Sequence, residues 1–207
     1  MIQIDRRTWV LLLGALPLAS GAALIIHILW GFSLGLALLI MGATVIGIAI
    51  FVWQKLSLEA RAIVAQRFRV GLIAGIVAVL AYDGTRFLFV NGFHTTFQPF
   101  DVFPTFGNAI AGSSIPEPYV TIVGILYHFT NGLMFAVSYT ILFGPRSWWI
   151  GILWGLGLET LMLGFYPGWQ HPKVISEFTS VSMLGHVAYG AALGGVSQLI
   201  LRRLQRQ

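Results

Sequence analysis

The sequence predicts an all-α, polytopic membrane protein with six transmembrane helices. Three observations carry that expectation. The chain is 57% hydrophobic and 9% charged, with a mean hydropathy of +0.83, whereas soluble domains are about a quarter charged. Six apolar segments approach the roughly 20 residues a helix needs to cross the hydrocarbon core. The basic residues are also distributed as an even number of crossings requires.

The segments are 8–30, 33–52, 70–90, 119–143, 148–165 and 177–201. The first follows "DRR" and resembles the start of a secretory signal, but its apolar run continues to Trp30, beyond a signal's usual 7–15 residues or so. It reads as a retained helix with a kink at Pro17. Even-numbered crossings put both termini and the 2–3 and 4–5 connections on one side. That side holds Arg6, Arg7, Lys55, Arg61, Arg67, Arg69, Arg146, Arg202, Arg203 and Arg206, ten of the twelve basic residues, leaving Arg86 and Lys173. Positive charge collects in the cytoplasm, so the expected protein is a multi-pass protein of the cell (inner) membrane with cytoplasmic termini.

The expected organisation is one transmembrane domain over 1–207. Helices 1–2 occupy 1–53, a cytoplasmic linker 54–69, and a four-helix core 70–207. In the linker, Leu56, Ala60, Ile63, Val64 and Phe68 recur at helical spacing between basic residues, as in an interfacial amphipathic helix; an ordinary charged linker is the alternative. The outer connection 91–118 holds five Phe and four Pro with almost no charge, which predicts a lid or re-entrant turn shielded by protein. A smaller Pro/aromatic loop is expected at 166–174.

The net charge of +5 follows from topology, so the partners expected are the lipid bilayer and an apolar or small-molecule ligand, with no nucleic acid. The absence of Cys excludes disulfides, thiolate metal sites and cysteine nucleophiles. No Lys lies inside a span, and no H-E-x-x-H, E-x-x-H or H-x-x-x-H motif occurs. Nothing in the chain establishes catalysis.

Two features recur in order. Span 3 carries Gly75 and, eight residues on, Asp83; span 5 carries Gly151 and, eight residues on, Glu159. Span 4 then carries "HFTNG" from His128 and span 6 "HVAYG" from His186. This order predicts a tandem two-helix repeat in helices 3–6. At about 1.5 Å per residue, Asp83, His128, Glu159 and His186 share one level in the outer half of the bilayer. Arg86, Asn131, Tyr189 and Ser182 lie three or four residues from members of the set, on the same helix faces. Ionisable groups at such depth face the bundle interior and mark sites.

Each member also has a structural reading. Asp83 and Arg86 would neutralise each other, with Arg86 snorkelling outward, and either His would bond across helices. Glu177 is expected to cap helix 6. His27, Trp30, Trp148 and Trp149 read as interfacial, while His94 and His171 carry no motif.

Several chemistries remain open for the four-residue set. It would ligate a divalent metal such as zinc, manganese or iron. His128 and His186 alone would ligate a b-type haem, with Gly132, Ala136, Gly190 and Gly194 leaving room for the ring or serving close helix packing. A small ligand would also fit. The alternatives are a proton-coupled carrier of a small solute or lipid, in a homo-oligomer because the inner half lacks a polar path, and a non-catalytic subunit or assembly factor.

Overall fold

The computed structural model describes residues 6–112 and 114–206, which are all-helical with no strand among them. The helices are α1 (Arg6–Ala15), α2 (Ala19–Trp30), α3 (Leu34–Lys55), α4 (Leu58–Phe93), α5 (Val102–Ala111), α6 (Tyr119–Phe143), α7 (Trp148–Gln170) and α8 (Ile175–Leu204). α1 and α2 form one apolar span, and α3, α4, α6, α7 and α8 supply five more. The chain is a multi-pass membrane protein.

The first span bends where expected. Leu16–Leu18 is a 3-10 turn around Pro17, since proline has no N–H for the helical ladder and crowds the preceding turn. Ser33 and Ser57 cap α3 and α4 by accepting from Leu36 N and Ala60 N, the usual role of a serine at this position.

Two expectations need correcting. The 54–69 segment forms neither a separate interfacial helix nor a linker: only Leu56 and Ser57 interrupt the helices, and α4 then runs 36 residues without a break. Leu56, Ala60 and Val64 pack inside the protein on Leu13, Val52, Val137 and Ile141. No Pro interrupts 58–93, and Arg67 donates to the Ile141 carbonyl at 2.7 Å, satisfying the end of α6. At about 1.5 Å per residue α4 is some 54 Å long, well beyond a hydrocarbon core of about 30 Å. The second correction concerns 166–174. α7 continues through Pro167 to Gln170, and His171 ends it in the left-handed conformation. His94 ends α4 in the same way.

The core is a row of helices in the order α6, α4, α8, α7. Glycines set its tightest seam: a methyl on Gly151, Gly155, Gly190 or Gly194 would overlap the facing backbone of α7 or α8, the small-residue packing characteristic of membranes. α1 and α2 lie along α6, and α3 packs beside α2. The Phe-rich connection folds as a short helix over the bundle end. There α5 is pressed so closely to α6 that Gly107 faces the Val120 carbonyl and Gly124 the Phe103 carbonyl.

Candidate functional site: two histidine–carboxylate pairs on one cavity

The approach of α7 to α8 places the second pair. Because Gly155 lies against the His186 carbonyl, Glu159, one turn further along α7, reaches the His186 ring. His186 Nδ1 lies 2.7 Å from Glu159 Oε2 and donates to the Ser182 carbonyl at 3.0 Å. The Ser182 hydroxyl donates to the same Glu159 oxygen at 2.9 Å. Glu159 is only 1% exposed, and its Oε1 has no protein partner among the described residues.

The first pair joins α4 to α6. His128 Nε2 lies 3.0 Å from Asp83 Oδ2, while the other Asp83 oxygen accepts from Arg86 Nη1 at 3.3 Å. Arg86 does not snorkel outward. It is buried, donates from Nη2 to the Pro99 carbonyl at 2.8 Å, and lies 4.6 Å from the Tyr82 ring centre, within cation–π range. One guanidinium therefore balances Asp83 and fastens the Phe-rich connection to α4.

Tyr82 links the two pairs. Its ring lies 4.8 Å from the His186 ring and 5.8 Å from that of His128, centre to centre. Nothing in the sequence marks it beyond being an aromatic beside Asp83. Phe103 of α5, 5.2 Å from His128, was equally hidden, because its contact depends on how the connection folds.

The supporting residues take separate roles. Asn131 Oδ1 accepts from the Ser20 hydroxyl at 2.7 Å, tying α6 to the start of α2. The Tyr189 hydroxyl donates to the Gly132 carbonyl at 2.7 Å, joining α8 to α6. Ser182 orients Glu159. Glu177, in the first turn of α8 as expected, also accepts from the Phe97 N–H and the Thr96 hydroxyl at 2.9 and 2.8 Å, so it anchors the connection as well.

His128, His186, Tyr82, Arg86, Asn131 and Tyr189 all line one cavity of about 740 Å³, in the range of small-molecule sites. Asp83 and Glu159 stand behind their histidines rather than in the wall. α2 and α7 complete the enclosure, and α5 covers one end. α6 and α7 meet through Trp154, whose ring packs against those of Tyr139 and Phe143. On that side Leu153, Gly157 and Leu161 of α7 line the cavity and are exposed on the bundle surface.

Residues 65–207 match a family of unknown function, DUF6789. The chain belongs to the DUF6789 family. No curated protein and no solved structure matches it. The DUF6789 region begins inside α4 and contains both pairs, Tyr82, Arg86 and the Phe-rich connection; α1 to α3, with Ser20, precede it.

Among the described residues no three His, Asp or Glu side chains come close enough together to hold one metal ion. The four expected ligands form two pairs, bridged by the Tyr82 ring. The haem arrangement does not fit. Tyr82 contacts both imidazoles, and the room expected beside Gly190 and Gly194 is filled by α7 backbone.

Proposed function

We propose that this DUF6789 protein binds a small organic molecule inside the membrane, with His128 and His186 as its polar contacts. The observation that carries the reading is that two histidines, each backed by a carboxylate, open onto one cavity. A carboxylate behind an imidazole fixes the ring's orientation and its proton, the usual preparation of a polar binding group. Behind the wall, Glu159 Oε1 has no protein partner among the described residues, a burial of polarity that has a cost and is consistent with a site rather than plain helix glue. A metal is the less favoured ligand, because zinc and related ions take at least three protein donors.

The basic end of the bundle is proposed to face the cytoplasm of a cell (inner) membrane, which places the cavity in the outer half of the bilayer. The test is native mass spectrometry of protein released from lipid nanodiscs. A non-covalent adduct is expected on the parent protein and lost in His128→Ala and His186→Ala. Parent protein with no adduct, or adducts indifferent to both histidines, would overturn the reading.

A further inference from the structure

We propose that the basic end of the α4–α8 seam is a second, separate binding site, which takes an anionic phospholipid such as phosphatidylglycerol with its phosphate on Arg69. Helix lengths make the site. α6 ends at Phe143 and α7 begins at Trp148, while α4 and α8 run on past both. Arg67 reaches the Ile141 carbonyl in the last turn of α6 at 2.7 Å, so 58–66 of α4 lie beyond that level. The Trp148 N–H donates to Gln198 Oε1 at 3.0 Å, so 199–204 of α8 lie beyond the start of α7. Between these two projecting ends is a groove of about 520 Å³.

The walls order apolar and polar groups as a phospholipid does. They include Ala62, Gln66, Arg69 and Ile73 of α4 and Ile200 and Leu204 of α8. α4 leaves this end and α8 returns to it, so Ile73 and Ile200 lie toward the middle of the bilayer and Ala62 and Leu204 away from it. An acyl chain laid along the exposed Ile73 therefore brings a glycerol-linked phosphate up to Arg69. The small Ala62, one turn before Gln66, leaves room for the rest of the head.

The donors at that level are free. Arg61 and Arg67 are committed to backbone carbonyls, but Arg69 is exposed and has no protein partner among the described residues. The Gln66 amide, one turn earlier on the same face, has none either. A guanidinium offers a phosphate two parallel donors, and the amide adds another. Arg202 and Arg203, exposed in the last turn of α8, raise the positive potential around the groove. Glu59 is the one acid at this end among the described residues, roughly 15 Å along α4 from Arg69 at helical rise. A zwitterionic head would bring its own cation up to these arginines, and a second copy of the chain would set them against each other. Basic pockets between helices at a membrane surface are suited to anionic headgroups, which are commonest in the cytoplasmic leaflet, the side proposed above for this end.

The test is lipid retention by the full chain, read by native mass spectrometry after release from nanodiscs of equal parts phosphatidylglycerol and phosphatidylcholine. The parent protein is expected to retain phosphatidylglycerol in preference. Arg69→Gln should lower that preference about fivefold, the weight of one basic side chain at an anionic surface. Arg146→Gln removes an exposed cation that does not line the groove, and should leave the preference unchanged. Ala62→Trp fills the groove with every charge retained, and should lower the preference too. Ala62 and Arg69 are both exposed, so these variants keep the fold. His128→Ala and His186→Ala should have no effect, because the histidine cavity is a different site. No preference in the parent, equal losses from Arg69→Gln and Arg146→Gln, or no loss from Ala62→Trp would overturn the assignment. A loss in either histidine variant would place the lipid in the cavity instead, and a parent dimer that Ala62→Trp dissolves would make the occupant a second copy; each outcome overturns it.

Discussion

Gly185 offers a direct test of how tightly the site is built. It precedes His186 on α8, and a methyl at that position would lie 2.8 and 2.9 Å from two Tyr82 ring carbons and 3.0 Å from Arg86 Cδ. Ordinary contact begins at 3.4 Å, so the Tyr82 ring must retreat by several tenths of an ångström. It has little room to do so, being only 9% exposed and held by His186, His128 and the Arg86 guanidinium. Overpacking of this kind costs about 1–3 kcal/mol, against a gain of about 0.8–1.0 kcal/mol from replacing helical Gly with Ala. Gly185→Ala should therefore destabilise by about 1 kcal/mol, roughly fivefold in the unfolding equilibrium. Gly164 on α7 has nothing within 4 Å of such a methyl, so Gly164→Ala should keep the propensity gain alone. Reversible unfolding in mixed micelles should separate the two variants by about 2 kcal/mol. In a Tyr82→Ala background the ring overlap is gone, so Gly185→Ala should there cost little or stabilise by up to about 0.8–1.0 kcal/mol. If Gly185→Ala proves as stable as Gly164→Ala, the tight Tyr82 wedge between the two pairs is refuted.

The Phe-rich connection supplies two more tests. Arg86→Met removes the donor to the Pro99 carbonyl and the cation beside Asp83; limited proteolysis should then cut within 91–101 several-fold faster, and an unchanged rate would show that α5 packing alone holds the cover. Glu177→Ala removes the acceptor for the Phe97 N–H and Thr96 hydroxyl. Because Glu177 lies near the helix end, global stability should change little, but the Phe97 amide should lose hydrogen-exchange protection several-fold while amides in the middle of α8 stay unchanged.

The sequence by itself determined the class and the six apolar crossings, and it singled out the two acids and two histidines, but as one four-residue set rather than as two pairs. These follow from one-dimensional facts: apolar run length against bilayer thickness, the depth implied by helical rise, and the cost of burying charge, which forces polar groups to find one another. It did not determine that α4 absorbs the 54–69 segment, because whether Leu56, Ala60 and Val64 face lipid or protein depends on where α1, α3 and α6 lie. Nor did it reveal Tyr82 as the bridge between the pairs, since an aromatic beside an acid is unremarkable until two helices present histidines to it. The equal-looking histidines became unequal only in three dimensions. Among the described residues Arg86 stands beside one acid and no Arg or Lys beside the other, so two similar motifs have different surroundings. Tertiary contacts decided this, because electrostatic compensation is a property of neighbours in space, and the nearest neighbour of Glu159 is 27 positions along the chain.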